Sequence, residues 1–285
     1  MIIRFPAYRR FSEARIEVND AMMALLIGAR LGEHALSTTA ASPDALLPSL
    51  FGRIPGIERF NRTAGDAAKL LAGAEEHLAY MAIPYALAIY GSFLVGAAGM
   101  LREDMRDMPG RPYRLQRQDD LTKLSLELSH EYIAERCGAT LDGTMLPLFH
   151  VARRVRNRVV HFGGAVGSHL LGDYRALSPD VRSSWERLAG RSLPAAVDSG
   201  RLALRDGELI AVLAITRNLG HAVNDLLART LSRGYWARLA VSDYRASYPE
   251  RFGERDRRLR RLRGHANRLY GPLRLSDEEL LDAGK

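Results

Sequence analysis

Cysteine is almost missing from this chain: Cys137 stands alone among 285 residues. One thiol excludes an intramolecular disulfide and a cysteine-based metal site, and it suits a reducing cytoplasm. Lysine is scarce too. Lys69, Lys123 and Lys285 are the full complement, so nearly all of the 41 basic residues are arginines. Also missing are a phosphate-cradling P-loop, the dinucleotide-binding glycine fingerprint and an HExxH metal helix. The first residues, MIIRFPAYRRF, contain no apolar core of the signal-peptide kind. These absences lead to the expectation of a cytoplasmic protein with no cofactor and no bound metal.

What is present is positive charge and apolar bulk. The formal net charge is +8 and the sequence pI about 9.9, which favours a polyanionic partner such as RNA, or an anionic membrane surface. Apolar residues make up 47% of the chain, enough for a sizeable core. From Leu78 to Leu101, 24 residues run without a charge: LAYMAIPYALAIYGSFLVGAAGML. That length could span a bilayer. Its flanks, Glu75 and Glu76 before it and Arg102, Glu103 and Asp104 after it, specify orientation poorly. Ala88, Ser92 and Gly96 recur every fourth residue and allow close helix packing in either medium. The stretch reads first as a buried central helix, with a membrane span as the alternative.

Periodicity and punctuation predict an all-α protein. Helices are expected over about 12–36, with Ser12 as N-cap, and over 63–106, broken or bent near Pro84. Others are expected over 119–136, over 145–162, within PDVRSSWERLAG, and over 213–232. A small hairpin is expected near 201–212, around Asp206 and Gly207, with a direct helix start as its rival. Beyond Tyr235 lies a further helical segment and an arginine-rich run. No internal repeat or low-complexity linker is visible. The organisation expected is an N-terminal helical extension (1–61), a central helical domain (62–233) and a basic C-terminal extension (234–285).

The densest chemistry lies at 153–164, RRVRNRVVHFGG. On a helical wheel, Leu148, Val151, Ala152, Val155, Val159 and Phe162 gather on one side. His150, Arg154, Asn157 and His161 gather on the other, flanked by Arg153 and Arg158, with Arg156 at the boundary. Arg154 and Arg158 are four apart and repel, and the helix supplies no carboxylate to relieve them. An anion seated there would do so. A histidine on such a face is suited to acid–base work near neutral pH.

Arg156-Asn157-Arg158-Val159-Val160-His161 resembles the RNxxxH form of the Rx4–6H motif of HEPN-domain proteins. The arrangement over roughly 62–233 is similar as well: two long helices, the motif late in a helix, glycines, a hairpin-like segment, one more long helix. The resemblance implies an α-helical HEPN-like bundle that pairs as a homodimer and brings two motifs into one cleft. It further implies a metal-independent endoribonuclease, a hydrolase of toxin or antiviral defence systems. Carried over by position, His161 resembles the catalytic histidine, Arg156 the motif arginine and Asn157 the polar residue after it. Some members carry a tyrosine two residues past the histidine, used in modification by a partner enzyme; here that position is Gly163, which argues against that form of control.

Arg153, Arg154 and Arg158 are expected to bind substrate phosphates. So are Arg257, Arg258, Arg260 and Arg261, from a tail whose residues 251–263 hold seven arginines against Glu254 and Asp256. Arg217-Asn218-Leu219-Gly220-His221 is a second, shorter-spaced candidate that reads mainly as the polar stripe of an amphipathic helix. Tyr235, Trp236 and Tyr244 read as core before base-stacking groups. Expected partners are RNA, a second copy of the chain, and a regulatory or sensor protein to restrain the activity. A non-catalytic HEPN-like module that binds RNA, a nucleotide or a protein is the main rival, followed by a membrane-associated effector built on 78–101.

Overall fold

The computed structural model describes residues 2–39, 42–104, 125–249 and 255–284. The fold is all-α, and the β-structure among these residues is a single two-stranded hairpin with two isolated bridges. Two compact units form, neither contiguous in sequence. The first is built from Met1–Arg15, Leu87–His150 and Ala214–Lys285, the second from Ile16–Ala86 and Val151–Leu213.

Helix α1 (Pro6–Thr38) begins earlier than expected. Pro6 is preset for the first helical turn and has no N–H to leave unpaired there, so Ser12 lies inside the helix and is not its cap. After α2 (Leu47–Phe51), the predicted single helix over 63–106 is two helices, α3 (Ala64–Ala72) and α4 (Ala74–Asp104). The break falls at Gly73, whose N–H turns back to the Lys69 carbonyl at 3.1 Å, and α4 continues through Pro84. Thr63 starts α3 by accepting the Asp66 N–H at 3.2 Å. Ser125 caps α5 (Leu126–Cys137) in the same way; the earlier start expected for that helix, at 119, lies outside the described residues. Then come α6 (Met145–Phe162), α7 (Ser168–Ala176) and α8 (Pro179–Ala189).

The hairpin pairs β1 (Val197–Asp198) with β2 (Arg201–Leu202). Its turn is Ser199-Gly200, seven residues before the pair expected from sequence. Both turn residues have positive φ, 47° and 77°, as a tight two-residue hairpin loop requires. Asp206 and Gly207 instead open α9 (Asp206–Thr230), where the Glu208 carboxylate accepts the Arg205 N–H at 2.7 Å. The C-terminal part holds α10 (Arg233–Ser247), α11 (Arg255–Tyr270) and α12 (Asp277–Asp282).

The first unit has an aromatic core. Phe11 stacks on Phe93 at 5.0 Å, Phe5 meets Trp236 at 5.6 Å, and Tyr90 meets Phe149 edge-on at 5.3 Å. The Tyr90 hydroxyl and His130 Nε2 share a buried hydrogen bond of 2.8 Å, and burial pushes the Tyr90 hydroxyl pKa well up. Asp243 of α10 ties that helix to α1 and α11. It takes both Arg9 nitrogens (2.8 and 2.7 Å), the Tyr270 hydroxyl (2.9 Å) and His265 Nε2 (3.3 Å).

The second unit buries Trp185, Leu170, Leu193 and Leu202, with Tyr174 edge-on to Trp185. Glu208 is fully buried there and pairs with Arg191 through two bonds of 2.6 and 2.9 Å, the paired state that a buried carboxylate needs.

Length and composition would let α4 cross a membrane, yet half of its most apolar window is buried within the protein. Tyr90, Phe93, Leu94, Ala97 and Leu101 belong to the core of the first unit; Leu78, Ala79, Ala82 and Ile83 are buried in the second. About half of the charge-free stretch is thus packed into the cores of the two units.

Candidate functional site

Helix α6 is amphipathic as its spacing predicts, with one departure. Leu148, Val151, Ala152 and Val155 are buried to 2% exposure or less. Phe162 is not: it is 57% exposed, and Val160 is 48% exposed. The apolar stripe therefore ends a turn early. Phe162 is used differently, with the Arg158 guanidinium over its ring at 4.6 Å, a cation–π contact between residues four apart.

The helix ends on Gly163 and Gly164, at φ 57° and 85°, a pair of left-handed conformations that side chains resist. The Gly164 N–H reaches back to the Arg158 carbonyl at 2.9 Å. Gly164 also has no room for a Cβ, because the Tyr80 hydroxyl occupies that place. The chain then runs along the hairpin. Leu202 N–H bonds the Gly164 carbonyl at 2.9 Å, and Val166 N–H bonds that of Gly200, also at 2.9 Å. Arg201 donates to the Gly163 carbonyl at 2.7 Å, placing a guanidinium at the negative end of α6.

The residues named from sequence are placed as follows. Arg156 donates to the Asn157 side-chain oxygen at 3.0 Å, so these two are joined. His161 is exposed beside Phe162 and makes no hydrogen bond among the described residues. Arg153, Arg156 and Arg158 are half-buried. Arg154 forms an ion pair with Asp173 of α7. The acid that the helix does not contain thus arrives from a neighbouring helix, which corrects the expectation that the Arg154–Arg158 repulsion is left for a ligand to relieve. The other four substrate-binding candidates, Arg257, Arg258, Arg260 and Arg261, are all exposed on α11, in the first unit. The remaining residues of that run, from 251 to 254, lie outside the described residues.

Three neighbours of the motif carried no local signal. Asp173 looks like an ordinary surface acid of α7. Arg201 sits in a segment legible only as a turn region. Tyr80 is far away in sequence, and its hydroxyl donates to the Leu202 carbonyl at 2.6 Å. Its burial pushes the hydroxyl pKa up, helped by Glu76 and opposed by Arg201.

The second candidate, Arg217 to His221, is a helix–helix contact. His221 packs against the Tyr8 ring at 6.3 Å, and a Cβ on Gly220 would strike Phe11 at 2.6 Å. Burial, with Arg217 and Arg15 nearby, lowers the His221 pKa. Tyr235, Trp236 and Tyr244 are buried core residues, as expected. His150 is half-buried, edge-on to Phe149. No group of metal-ligating side chains occurs among the described residues. No family model, curated protein or solved structure matches the chain.

Proposed function

We propose that the chain is a metal-independent endoribonuclease of the HEPN type, acting as a homodimer in toxin or antiviral defence. The observation that carries this reading is the end of α6. An exposed histidine follows, four residues on, an asparagine held by Arg156, on a helix whose charged residues are all basic. RNA brings its own nucleophile. His161 would take the 2′-OH proton as the 2′-oxygen attacks phosphorus, or would protonate the departing 5′-oxygen as the P–O bond breaks. Arg156 would stabilise the charge building on the phosphate. Two copies of the motif across a dimer divide the acid and base roles. Exposed Val160, an apolar residue next to His161, supports pairing through this end of α6.

A non-catalytic RNA-binding module is the second reading. That His161 makes no hydrogen bond among the described residues favours it, because nothing there orients the imidazole for acid–base work. Labelled single-stranded RNA incubated in EDTA separates the two. The enzyme should leave a 2′,3′-cyclic phosphate and a 5′-hydroxyl, and the products should vanish with His161→Ala. RNA bound but uncut, or cut equally by His161→Ala, would reject the enzyme.

A further inference from the structure

We infer that the cleft between α10 and α11 is a nucleotide pocket, distinct from the end of α6. Arg261 and Arg268 would hold its phosphoryl group, and Tyr248, backed by the buried Tyr244, would contact its base. The cleft measures about 260 Å³ and is lined by these four residues with Gly264 and His265. On α11 the lining residues follow at offsets of three, four and seven from Arg261, which is one face of a helix. Tyr244 and Tyr248, one turn apart, form the opposite wall with ring centres 5.2 Å apart. His265 stands edge-on to both, at 5.7 and 6.1 Å.

Among the described residues the lining of this cleft is basic. No carboxylate lines it, and Arg261 and Arg268 have no hydrogen bond or ion pair among the described residues. Asp243, which bonds His265, is already engaged by Arg9 and Tyr270 as well. A second opening of about 270 Å³ shares His265 and Arg268 and adds Arg4 and Arg9 to the basic lining. His265 is 4% exposed, and its Nδ1 is buried with no hydrogen-bond partner. A buried polar atom left unpaired is costly, so it is a feature to be explained and not a neutral one.

Guanidinium groups on a fixed helix face recognise phosphate. Aromatic side chains beside them recognise the flat face of a base without regard to its identity. The size is restrictive: the cleft lies just under the range of roughly 300–1,000 Å³ typical of small-molecule sites. It would take one nucleotide and exclude a dinucleotide cofactor. A free nucleotide and one within an RNA strand present the same chemistry of recognition.

Calorimetric titration of the full chain at matched ionic strength tests this. The probes are AMP, inorganic phosphate, and a 2′-O-methyl tetranucleotide that cannot be cleaved. AMP should bind saturably at one site per chain. Tetranucleotide binding without AMP binding would support the strand as the source. Arg261→Gln and Arg268→Gln, both at exposed positions, should each weaken binding at least tenfold. Gly264→Leu should abolish it by filling the cleft. An added Cβ there meets nothing within 4 Å, and leucine is the better helix former, so circular dichroism should report an intact fold. Saturable binding of neither AMP nor the tetranucleotide would overturn the inference. So would wild-type affinity in Gly264→Leu, and phosphate binding as tightly as AMP would remove the base contact. His161→Ala should leave this binding unchanged, so failure here is separable from failure of the ribonuclease reading.

Discussion

Removing the imidazole of His161 should lower RNA cleavage by about 10²–10⁴-fold, the usual contribution of a general acid or base. The residue is exposed and makes no hydrogen bond among the described residues, so thermal unfolding should not change. Arg156→Ala should lose comparable activity. Because Arg156 also holds Asn157, Asn157→Ala should reproduce part of that loss; single-turnover rates on a labelled oligonucleotide measure all three. Wild-type rates in both His161→Ala and Arg156→Ala would remove the catalytic assignment. Asp243 is the opposite kind of residue, with structural consequences in place of chemical ones. Burial by itself works to raise its pKa, but hydrogen bonds from Arg9, His265 and Tyr270 outweigh that and hold it below the usual carboxylate range. A depressed folded-state pKa gives stability that is present above the unfolded value, about 3.9, and is lost as pH falls below it. Asp243→Asn should therefore destabilise the chain at pH 6 by about 2–4 kcal/mol, at or below the cost of breaking a fully buried pair because Arg9 keeps some exposure. It should also flatten the fall in stability between pH 5 and 3 expected of the wild type. Urea midpoints at each pH give the measurement, and parallel pH curves for the two proteins would contradict it.

At the scale of elements, α6 is the firmest structural test. Val155 is 1% exposed, and Val155→Asp would bury a charge with no partner. The variant should unfold or aggregate, seen as loss of a cooperative melt; a soluble, well-folded product would mean that the buried face is misassigned. This face was readable from sequence because four consecutive apolar positions keep the helical period. Phe162 was misread for a definite reason: hydrophobicity says that a side chain prefers burial, and says nothing of where the supporting elements stop. Arg158 then covers it from the same helix. Contacts across long sequence separations were likewise invisible. Nothing near Arg154 announces Asp173, and nothing near Gly164 announces Tyr80. Pro84 and Gly73 show a conflict between breakers. Proline removes one hydrogen bond but sits in a helix held by two packed cores, whereas Gly73 lies where the chain can turn back on Lys69. The hairpin was foreseen as an element but displaced, since Asp206-Gly207 matches a turn signature as well as Ser199-Gly200 does, and only pairing with 164–166 separates them.

For the whole molecule the governing quantities are its positive charge and its assembly. If two α6 ends make one active site, specific activity should fall on dilution through the dimer dissociation range, and sedimentation velocity should report that same midpoint. Activity that stays proportional to concentration in a monomeric sample would exclude a composite site. If the arginines of α11 grip RNA phosphates, they set the salt dependence of RNA binding. Each phosphate neutralised on a single strand should contribute about 0.7 to the slope of log K against log salt. Replacing Arg257, Arg258, Arg260 and Arg261 together by glutamine should not remove four such contacts. Arg257 and Arg261 share one face, with Arg258 beside it, while Arg260 lies two residues from Arg258 and points elsewhere. A loss near two contacts is expected, a slope smaller by about 1.4. Because these side chains are exposed, folding should survive, and turnover at saturating RNA should stay close to wild type, as the chemistry is assigned to His161. Fluorescence anisotropy across a salt series gives the slope. An unchanged slope accompanied by loss of the dimer would reassign this helix from gripping RNA to holding two chains together.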